Sequence, residues 1–240
     1  MQSLQAALKF LTVFPYPKAS ARSPWEISSA ILFFPLVGFF VGVLLVVFNY
    51  IFDPYLASEI LSVLLVAVLV MATGARHLSG LANTVDRLAS EIEGRKTHAA
   101  SGESLAGIFG VATVVLMIAF KIRAIEVMGE ARNQGVLLAP VLGYWAMAIL
   151  MYGSARPDKE IQPTAERVRG KHLFLSTLIA LSLVATLAGK LGLRIALSIS
   201  LFAVLARAYF ERRLGGVNNY TLGAVSELAE TFALILFATF

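Results

Sequence analysis

Residues 30–52 read AILFFPLVGFFVGVLLVVFNYIF, a run without a charged side chain. A helix needs about 20 mostly apolar residues to cross the hydrocarbon core of a bilayer. Pro35 falls near the start of this run, where a helix tolerates its missing N–H group. The run therefore predicts a membrane-spanning helix, and with it an integral membrane fold.

Other stretches of the chain are long and apolar enough, or nearly so, to be further spans. The seven predicted spans are 30–52, 56–74, 106–125, 135–153, 173–189, 193–208 and 222–240. Tight breaks separate neighbouring spans at Asp53-Pro54 and at Gly189-Lys190-Leu191-Gly192. We predict an all-α, polytopic helical bundle that forms one membrane-embedded domain over residues 1–240.

The bulk composition agrees with a membrane protein. The chain is 58% hydrophobic and 15% charged, whereas soluble domains are about 45–50% apolar and ~25% charged. Its mean hydropathy is +0.78. The absence of cysteine excludes disulfide and thiolate chemistry. The N-terminal MQSLQAALKFLTVFPYP is not expected to be a signal peptide, because its apolar run is short and ends in prolines.

The net charge of +5 follows a pattern typical of membrane topology. With a cytoplasmic N-terminus, 15 of the 20 basic residues fall on the cytoplasmic side, as the positive-inside rule requires. This predicts a multi-pass protein of the cytoplasmic membrane with its long polar loops inside the cell. It also predicts attraction to anionic membrane lipid and no nucleic-acid partner. The basic residues expected on the outer side are Lys121, Arg123, Arg132, Lys190 and Arg194.

Residues 76–87, RHLSGLANTVDR, concentrate polar groups directly after the second predicted span. If 78–88 is helical, Ser79, Asn83 and Asp86 lie at i, i+4 and i+7 and share one face. Such oxygen atoms suit Mg²⁺, which prefers carboxylates, phosphate oxygens and water. The alternative is a solvated helix face beside the membrane, with Arg76 and His77 at headgroup level.

Two further segments carry isolated carboxylates. Glu103 lies in SGESLAGIFG, whose Gly107 and Gly110 are explained by helix packing or by close approach to a ligand. Glu227 and Glu230 are three residues apart in the last apolar run, and ionisable groups inside a span usually face the bundle interior. The alternative for this pair is a position near the interface, with ion pairs to Arg212 or Arg213.

These segments occur in a recognisable order. FLTVFPYP, FFPLVGFFVG, HLSGLANTVD, GIFGV and RRLGGVNNYTLGAVSELAE together resemble the cobalamin synthase family over essentially the whole chain. The central family motif reads His-Leu-Asp-Gly-Leu-Ala-Asp-Thr-x-Asp. The late motif reads Leu-Gly-Gly-x-Thr-Gly-Asp-x-Leu-Gly-Ala-x-x-Glu-Leu-x-Glu. The chain keeps most of both, including His77, Asp86, Glu227 and Glu230.

The resemblance implies a Mg²⁺-dependent membrane transferase of corrinoid assembly. Such an enzyme joins α-ribazole or its 5′-phosphate to adenosylcobinamide-GDP, releases GMP and completes the cobalamin nucleotide loop. A ribose hydroxyl attacks a phosphoanhydride, which requires in-line positioning and neutralisation of phosphate charge. Expected partners are these two substrates, membrane lipid and other corrinoid-assembly enzymes.

The chain departs from the family mainly at polar positions. Ser79 and Asn83 replace the first two aspartates of the central motif, and Glu103 stands where the following motif has an aspartate. The other departures are Val13 for an arginine, Asn218-Asn219-Tyr220 for Thr-Gly-Asp, Gly143-Tyr144 for Ser-Arg, and the loss of two basic residues around Glu103.

Two interpretations follow. In the first, the chain is a divergent transferase. Its expected catalytic groups are Asp86, Glu103 and His77, its expected metal ligands are Asp86, Glu103, Glu227 and Glu230, and its expected substrate-binding residues are Arg76, Ser79, Asn83, Arg213, Asn218 and Asn219. In the second, the chain has kept the fold, lost the reaction, and serves as a corrinoid- or nucleotide-binding scaffold or carrier.

Overall fold

The structure is a computed structural model that describes residues 2–13, 28–92, 107–154 and 168–240. Every regular element in these ranges is a helix, which confirms the all-α prediction. The helices are α1 (Gln2–Leu11), α2 (Phe34–Phe52), α3 (Ser58–Thr73), α4 (Arg76–Ile92), α5 (Ile108–Val127), α6 (Arg132–Met151), α7 (Gly170–Arg213) and α8 (Asn219–Thr239), with 3-10 turns at Ile31–Phe33 and Gly129–Ala131.

Helix α6 is the centre of the bundle, and all of its residues from 138 to 151 are buried. Two glycines of α2, Gly38 and Gly42, let that helix pack backbone to backbone against α6. A Cβ atom would lie 2.5 Å from the carbonyl oxygen of Pro140 if added to Gly38, and 2.2 Å from that of Leu137 if added to Gly42. Small residues spaced by four are a common means of close helix packing in membranes.

A sharp bend separates α3 from α4. Helix α3 ends at Gly74, whose φ of 61° is the left-handed conformation that glycine adopts without steric cost. The next residue, Ala75, also has a positive φ of 55°. The axes of α3 and α4 consequently differ by 86°. The polar segment 76–87 is thus helical, as the prediction for 78–88 assumed. Its helix runs nearly perpendicular to the preceding α3.

Helix α7 reverses its direction at Gly189, where φ is 54° and ψ is −136°. A Cβ on Gly192 would lie 2.7 Å from Cγ1 of Val184, although residues eight apart in a continuous helix are separated by about 12 Å. The two halves of α7 therefore fold back on each other. They correspond to the predicted spans 173–189 and 193–208.

By length and apolar composition, five helices in the described ranges qualify as membrane spans, or six if α3 and α4 together form one broken span. The sequence predicted seven. The number is lower for two reasons. Helix α7 contains both of the predicted spans 173–189 and 193–208, and α3 has only 16 residues, which is too short to span alone. The structure supports a multi-pass membrane bundle. The difference in the number of spans arises at α3 and at Gly189 in α7.

Candidate functional site

Helices α4 and α8 touch at a pair of glycines. A Cβ on Gly80 would lie 2.8 Å from the carbonyl oxygen of Tyr220 and 3.0 Å from Cα of Gly223. A Cβ on Gly223 would in turn lie 3.2 Å from Cα of Gly80 and of His77. Because neither helix carries a side chain at the crossing, the segment 76–87 and the start of α8 pack backbone to backbone.

His77 points into the bundle and not towards the headgroup level. Its side chain is buried and its ring stands edge-on to the ring of Tyr144 on α6, with centroids 5.3 Å apart and planes at 81°. His77 is therefore not part of the solvated face of α4 that the alternative interpretation assumed. His77 lies behind the polar face of α4, in contact with α6 and α8.

Ser79 and Asn83 form the outward-facing polar part of α4. Ser79 is exposed and Asn83 half-buried. The Asn83 Nδ2 group donates hydrogen bonds to the Ser79 carbonyl oxygen at 2.8 Å and to its hydroxyl at 3.4 Å. The exposed Arg76 donates to the Lys9 carbonyl oxygen at 3.1 Å, and so holds the end of α1 beside this face. Three expected substrate-binding residues are thus neighbours at one end of α4.

Asp86 accepts hydrogen bonds from the beginning of α5. The amide of Gly107 donates to its Oδ2 at 2.5 Å, and the amide of Gly110 donates to its Oδ1 at 2.8 Å. The first four N–H groups of a helix lack partners within that helix, and a carboxylate is well suited to satisfy them. Gly107 and Gly110 are thus used for close backbone approach, although the contact is to a carboxylate of the same chain.

Glu227 and Glu230 bind a lysine deep in the bundle. The Lys121 ammonium group on α5 donates to Glu227 Oε2 at 2.5 Å and to Glu230 Oε1. Lys121, Glu227 and Glu230 are only 1%, 4% and 2% exposed. The alternative pairing with Arg212 or Arg213 is therefore wrong. The position expected for Lys121 on the outer side is also corrected, because its ammonium lies within the bundle.

Sequence reasoning did not assign a site role to Lys121. The signal was present, since a lysine inside an otherwise apolar span is costly and needs a partner. Two hydroxyls also lie in this region: Ser226 Oγ and Tyr144 Oη are buried and have no hydrogen-bond partner among the described residues. Gly143 permits the close contact of α6 and α8 here, because its Cβ would lie 3.0 Å from the Ser226 carbonyl oxygen.

Asn218 caps the N-terminus of α8. Its side-chain Oδ1 accepts a hydrogen bond from the backbone N–H of Thr221 at 2.9 Å, and its backbone N–H donates to the Thr221 hydroxyl at 2.8 Å. Residues 218–221 consequently form the cap and first turn of a helix. The Asn218 side chain is buried and committed to this cap, whereas Asn219 is half-buried.

Two arginines meet where α7 ends and α8 begins. Arg213 is the last residue of α7 and is exposed. Arg87 of α4 reaches the same place, where its Nη2 donates to the Leu214 carbonyl oxygen at 3.0 Å. The Arg87 guanidinium group therefore lies next to the backbone of Arg213, between α7 and α8. Arg87 was not among the expected binding residues.

The expected metal ligands do not form one set. Within the described ranges, no three histidine, aspartate or glutamate side chains are grouped closely enough to hold a metal ion. Asp86 binds the amides of α5, and Glu227 and Glu230 bind Lys121. Glu103 lies outside the described residues. The described carboxylates Asp86, Glu227 and Glu230 thus do not fit a shared magnesium site.

Comparisons with known proteins agree over nearly the whole chain. The family model for cobalamin-5-phosphate synthase matches residues 3–238. Adenosylcobinamide-GDP ribazoletransferase of Geotalea daltonii is 32% identical over 232 residues, covering 95% of this chain and 94% of the relative. The proteins of the same name are 34% identical over 247 residues in Pseudomonas paraeruginosa, with 99% and 98% coverage, and 31% identical over 238 residues in Syntrophobacter fumaroxidans, with 95% and 94% coverage. No solved structure matches.

Proposed function

Because this chain belongs to the cobalamin-5-phosphate synthase family, we propose that it is a membrane-embedded adenosylcobinamide-GDP ribazoletransferase. It joins α-ribazole or its 5′-phosphate to adenosylcobinamide-GDP. A ribose hydroxyl forms a new P–O bond to the corrinoid-bearing phosphate, the phosphoanhydride bond breaks, GMP leaves and the hydroxyl proton is released. A bundle that crosses the membrane several times suits a large amphipathic corrinoid.

The observation that carries the placement of this reaction is the contact of Gly80 with Gly223. It brings the polar face of α4 next to the start of α8. Arg87 of α4 donates to Leu214, the residue after Arg213, and Arg76 is the first residue of α4. Guanidinium groups present planar, paired N–H donors that match phosphate oxygens. We place the diphosphate of adenosylcobinamide-GDP beside Arg87 and Arg213, and its attacking partner along Ser79 and Asn83.

The remaining roles are proposed from the sequence. Glu103 stays the proposed catalytic carboxylate, and His77 is proposed to support the polar face of α4 from inside the bundle. Asn219 is the proposed binding residue in the first turn of α8. A magnesium requirement is likewise proposed from the family resemblance. Other corrinoid-assembly enzymes are the proposed protein partners, and one domain over residues 1–240 is the proposed organisation.

The proposed location is the cytoplasmic membrane, with the N-terminus and the surface around α4 inside the cell. The distribution of lysine and arginine supports this orientation. This orientation would place the surface around α4 on the side of the membrane where the phosphate-bearing substrates are made. The phosphate-bearing end of each substrate is water-soluble. Contacts with anionic lipid are expected from the same basic residues.

The direct test is turnover in membranes that contain this protein. We expect conversion of adenosylcobinamide-GDP and α-ribazole to cobalamin, and growth of a cobalamin auxotroph that lacks its own synthase. Binding of adenosylcobinamide-GDP without turnover, under conditions in which the Geotalea daltonii relative is active, would instead support the scaffold or carrier interpretation.

The placement is tested by Arg87→Ala and Arg213→Ala. Loss of a hydrogen bond to a charged group should lower kcat/KM by about 10–100-fold in each variant. Arg194→Ala is the matched control, because Arg194 is also an exposed arginine of α7 but lies near the reversal at Gly189. Equal activity in all three variants would reject a phosphate site at the junction of α7 and α8.

A further inference from the structure

Asp86 is the only carboxylate in the segment 76–87, and both of its oxygens are turned to the start of α5. We propose that Asp86 is a positioning residue that fixes the first turn of α5 to α4, and that it is not a magnesium ligand. The predicted effect of Asp86 on turnover rests on the proposed function. The contact itself is independent of any reaction.

The two hydrogen bonds follow from the electrostatics of a helix terminus. Helix α5 has 20 residues, and Gly107 is its N-terminal capping residue. Gly107 contributes no side chain to satisfy the free amides of the first turn, so Asp86 from the neighbouring helix does so. A carboxylate there also interacts favourably with the positive end of the helix dipole.

The glycines provide a second, steric observation. For a Cβ added to Gly107, the three nearest atoms all belong to the Asp86 carboxylate, the first being Oδ1 at 2.7 Å. A Cβ on Gly110 would lie 2.3 Å from Asp86 Oδ2. The carboxylate thus occupies the space that side chains at these two positions would need. A Mg²⁺ ion at Asp86 would have to compete with two N–H donors for the same oxygens.

The consequence for the proposed site is geometric. Asp86 lies on the same face of α4 as Ser79 and Asn83, and Asn83 Nδ2 donates to Ser79 on that face. Asp86 therefore fixes the first turn of α5 relative to the surface at which substrate is proposed to bind. Its loss should disturb that orientation without removing a group that contacts phosphate.

Hydrogen–deuterium exchange of the purified protein tests the contact directly. Asp86→Ala should speed exchange of the amides at 107–111 by about 10–100-fold, because two bonds to a charged acceptor are lost. Asp86→Asn should give an intermediate effect, since its amide oxygen can accept only one of the two bonds at full strength. Unchanged exchange in Asp86→Ala would overturn the proposal.

Gly107→Ala provides a matched perturbation from the other side of the contact. In the wild type its new methyl group collides with the Asp86 carboxylate, so exchange at 107–111 should rise and the thermal midpoint should fall. In the Asp86→Ala background the carboxylate with which this methyl group collides is absent, so the same substitution should cost little more. Additive effects of the two substitutions would contradict the proposed contact.

Activity as a function of Mg²⁺ concentration separates positioning from metal binding. We expect Asp86→Ala to lower kcat while the Mg²⁺ concentration at half-maximal activity stays within about twofold of wild type. Partial recovery of kcat in Asp86→Asn is also expected. A tenfold or larger increase in the half-saturating Mg²⁺ concentration, with unchanged exchange at 107–111, would identify Asp86 as a ligand. If the wild type itself shows no turnover, the proposed function fails while the exchange experiment still decides the role of Asp86.

Discussion

Lys121, Glu227 and Glu230 form a buried ionic cluster between α5 and α8. Removing charges from water is costly, and mutual attraction compensates only if the geometry and hydrogen bonding are good. Here one ammonium group donates to two carboxylates three residues apart on α8. The cluster therefore links two helices that hydrophobic contact alone could hold in several registers. Such a polar link selects one register at a cost in desolvation.

We predict that Lys121→Met destabilises the protein strongly. Two buried carboxylates would lose their only cationic partner among the described residues, a change that costs about 3–5 kcal/mol when one member of a buried pair is removed. Thermal unfolding in detergent measures the effect. Lys190→Met is the control, because Lys190 is exposed at the reversal of α7.

The triple variant Lys121→Met, Glu227→Gln, Glu230→Gln should be more stable than Lys121→Met alone. It removes the unpaired charges together with the lysine, and replacement of a complete buried ionic group is often neutral. If the triple variant is the less stable of the two, the effect of Lys121 is not one of charge compensation.

Ser79→Asp is predicted to keep or raise activity. Ser79 is exposed on α4, so an added carboxylate needs no repacking. It would restore the aspartate that the family motif has at this position. The measurement is kcat/KM in membranes, with Ser198→Asp on the distant second half of α7 as the control for a new acidic group.

Among the elements, the crossing of α4 and α8 depends on glycine at both contact points. Gly80→Ala should be destabilising, because its methyl group would lie 2.8 Å from a backbone oxygen that cannot rotate away. Overpacking of this kind costs about 1–3 kcal/mol. It should also lower turnover by separating the two segments of the proposed site.

Gly42→Ala is the matched control for that prediction. It introduces a closer contact, 2.2 Å from the Leu137 carbonyl oxygen, but between α2 and α6. We expect at least as large a drop in thermal midpoint, with less loss of activity per degree of destabilisation. Equal loss of activity in both variants would show that turnover follows stability alone.

Helix positions were largely predictable from the sequence, because apolar runs of span length have few alternatives in a membrane. The predicted span 30–52 contains α2, and 106–125 agrees with Ile108–Val127 within two residues at each end. The partners of polar side chains were not predictable. Asp86 with Gly107, and Lys121 with Glu227, are contacts between different helices, and no periodicity within one helix encodes them.

At the scale of the whole molecule, the reversal at Gly189 decides how the C-terminal half crosses the membrane. A continuous helix of 44 residues would be about 66 Å long, more than twice the ~30 Å hydrocarbon core. Because Gly189 turns the chain back, the two halves of α7 can each cross once. In the proposed orientation, the ends of α7, including Arg213, would lie on the same side of the membrane.

The natural absence of cysteine makes this topology directly testable. We predict that Lys190→Cys reacts with a membrane-impermeant maleimide in intact cells, whereas Arg212→Cys reacts only after permeabilisation. The unmodified protein is the control, since it has no thiol. Labelling of both positions from the same side would contradict the reversal, and labelling in the opposite sense would invert the proposed orientation.

The ionic cluster also has a consequence for biosynthesis. Lys121 precedes Glu227 by 106 residues, so at about 5–20 residues per second α5 is made some 5–20 s before its partner. During that interval the nascent chain carries an uncompensated lysine in a segment bound for the lipid phase. The free-energy cost of placing the Lys121 charge in the membrane is thus offset only when α8 is inserted and its two carboxylates pair with the lysine. Truncated chains that lack α8 would keep the free-energy cost of an unpaired lysine in the membrane.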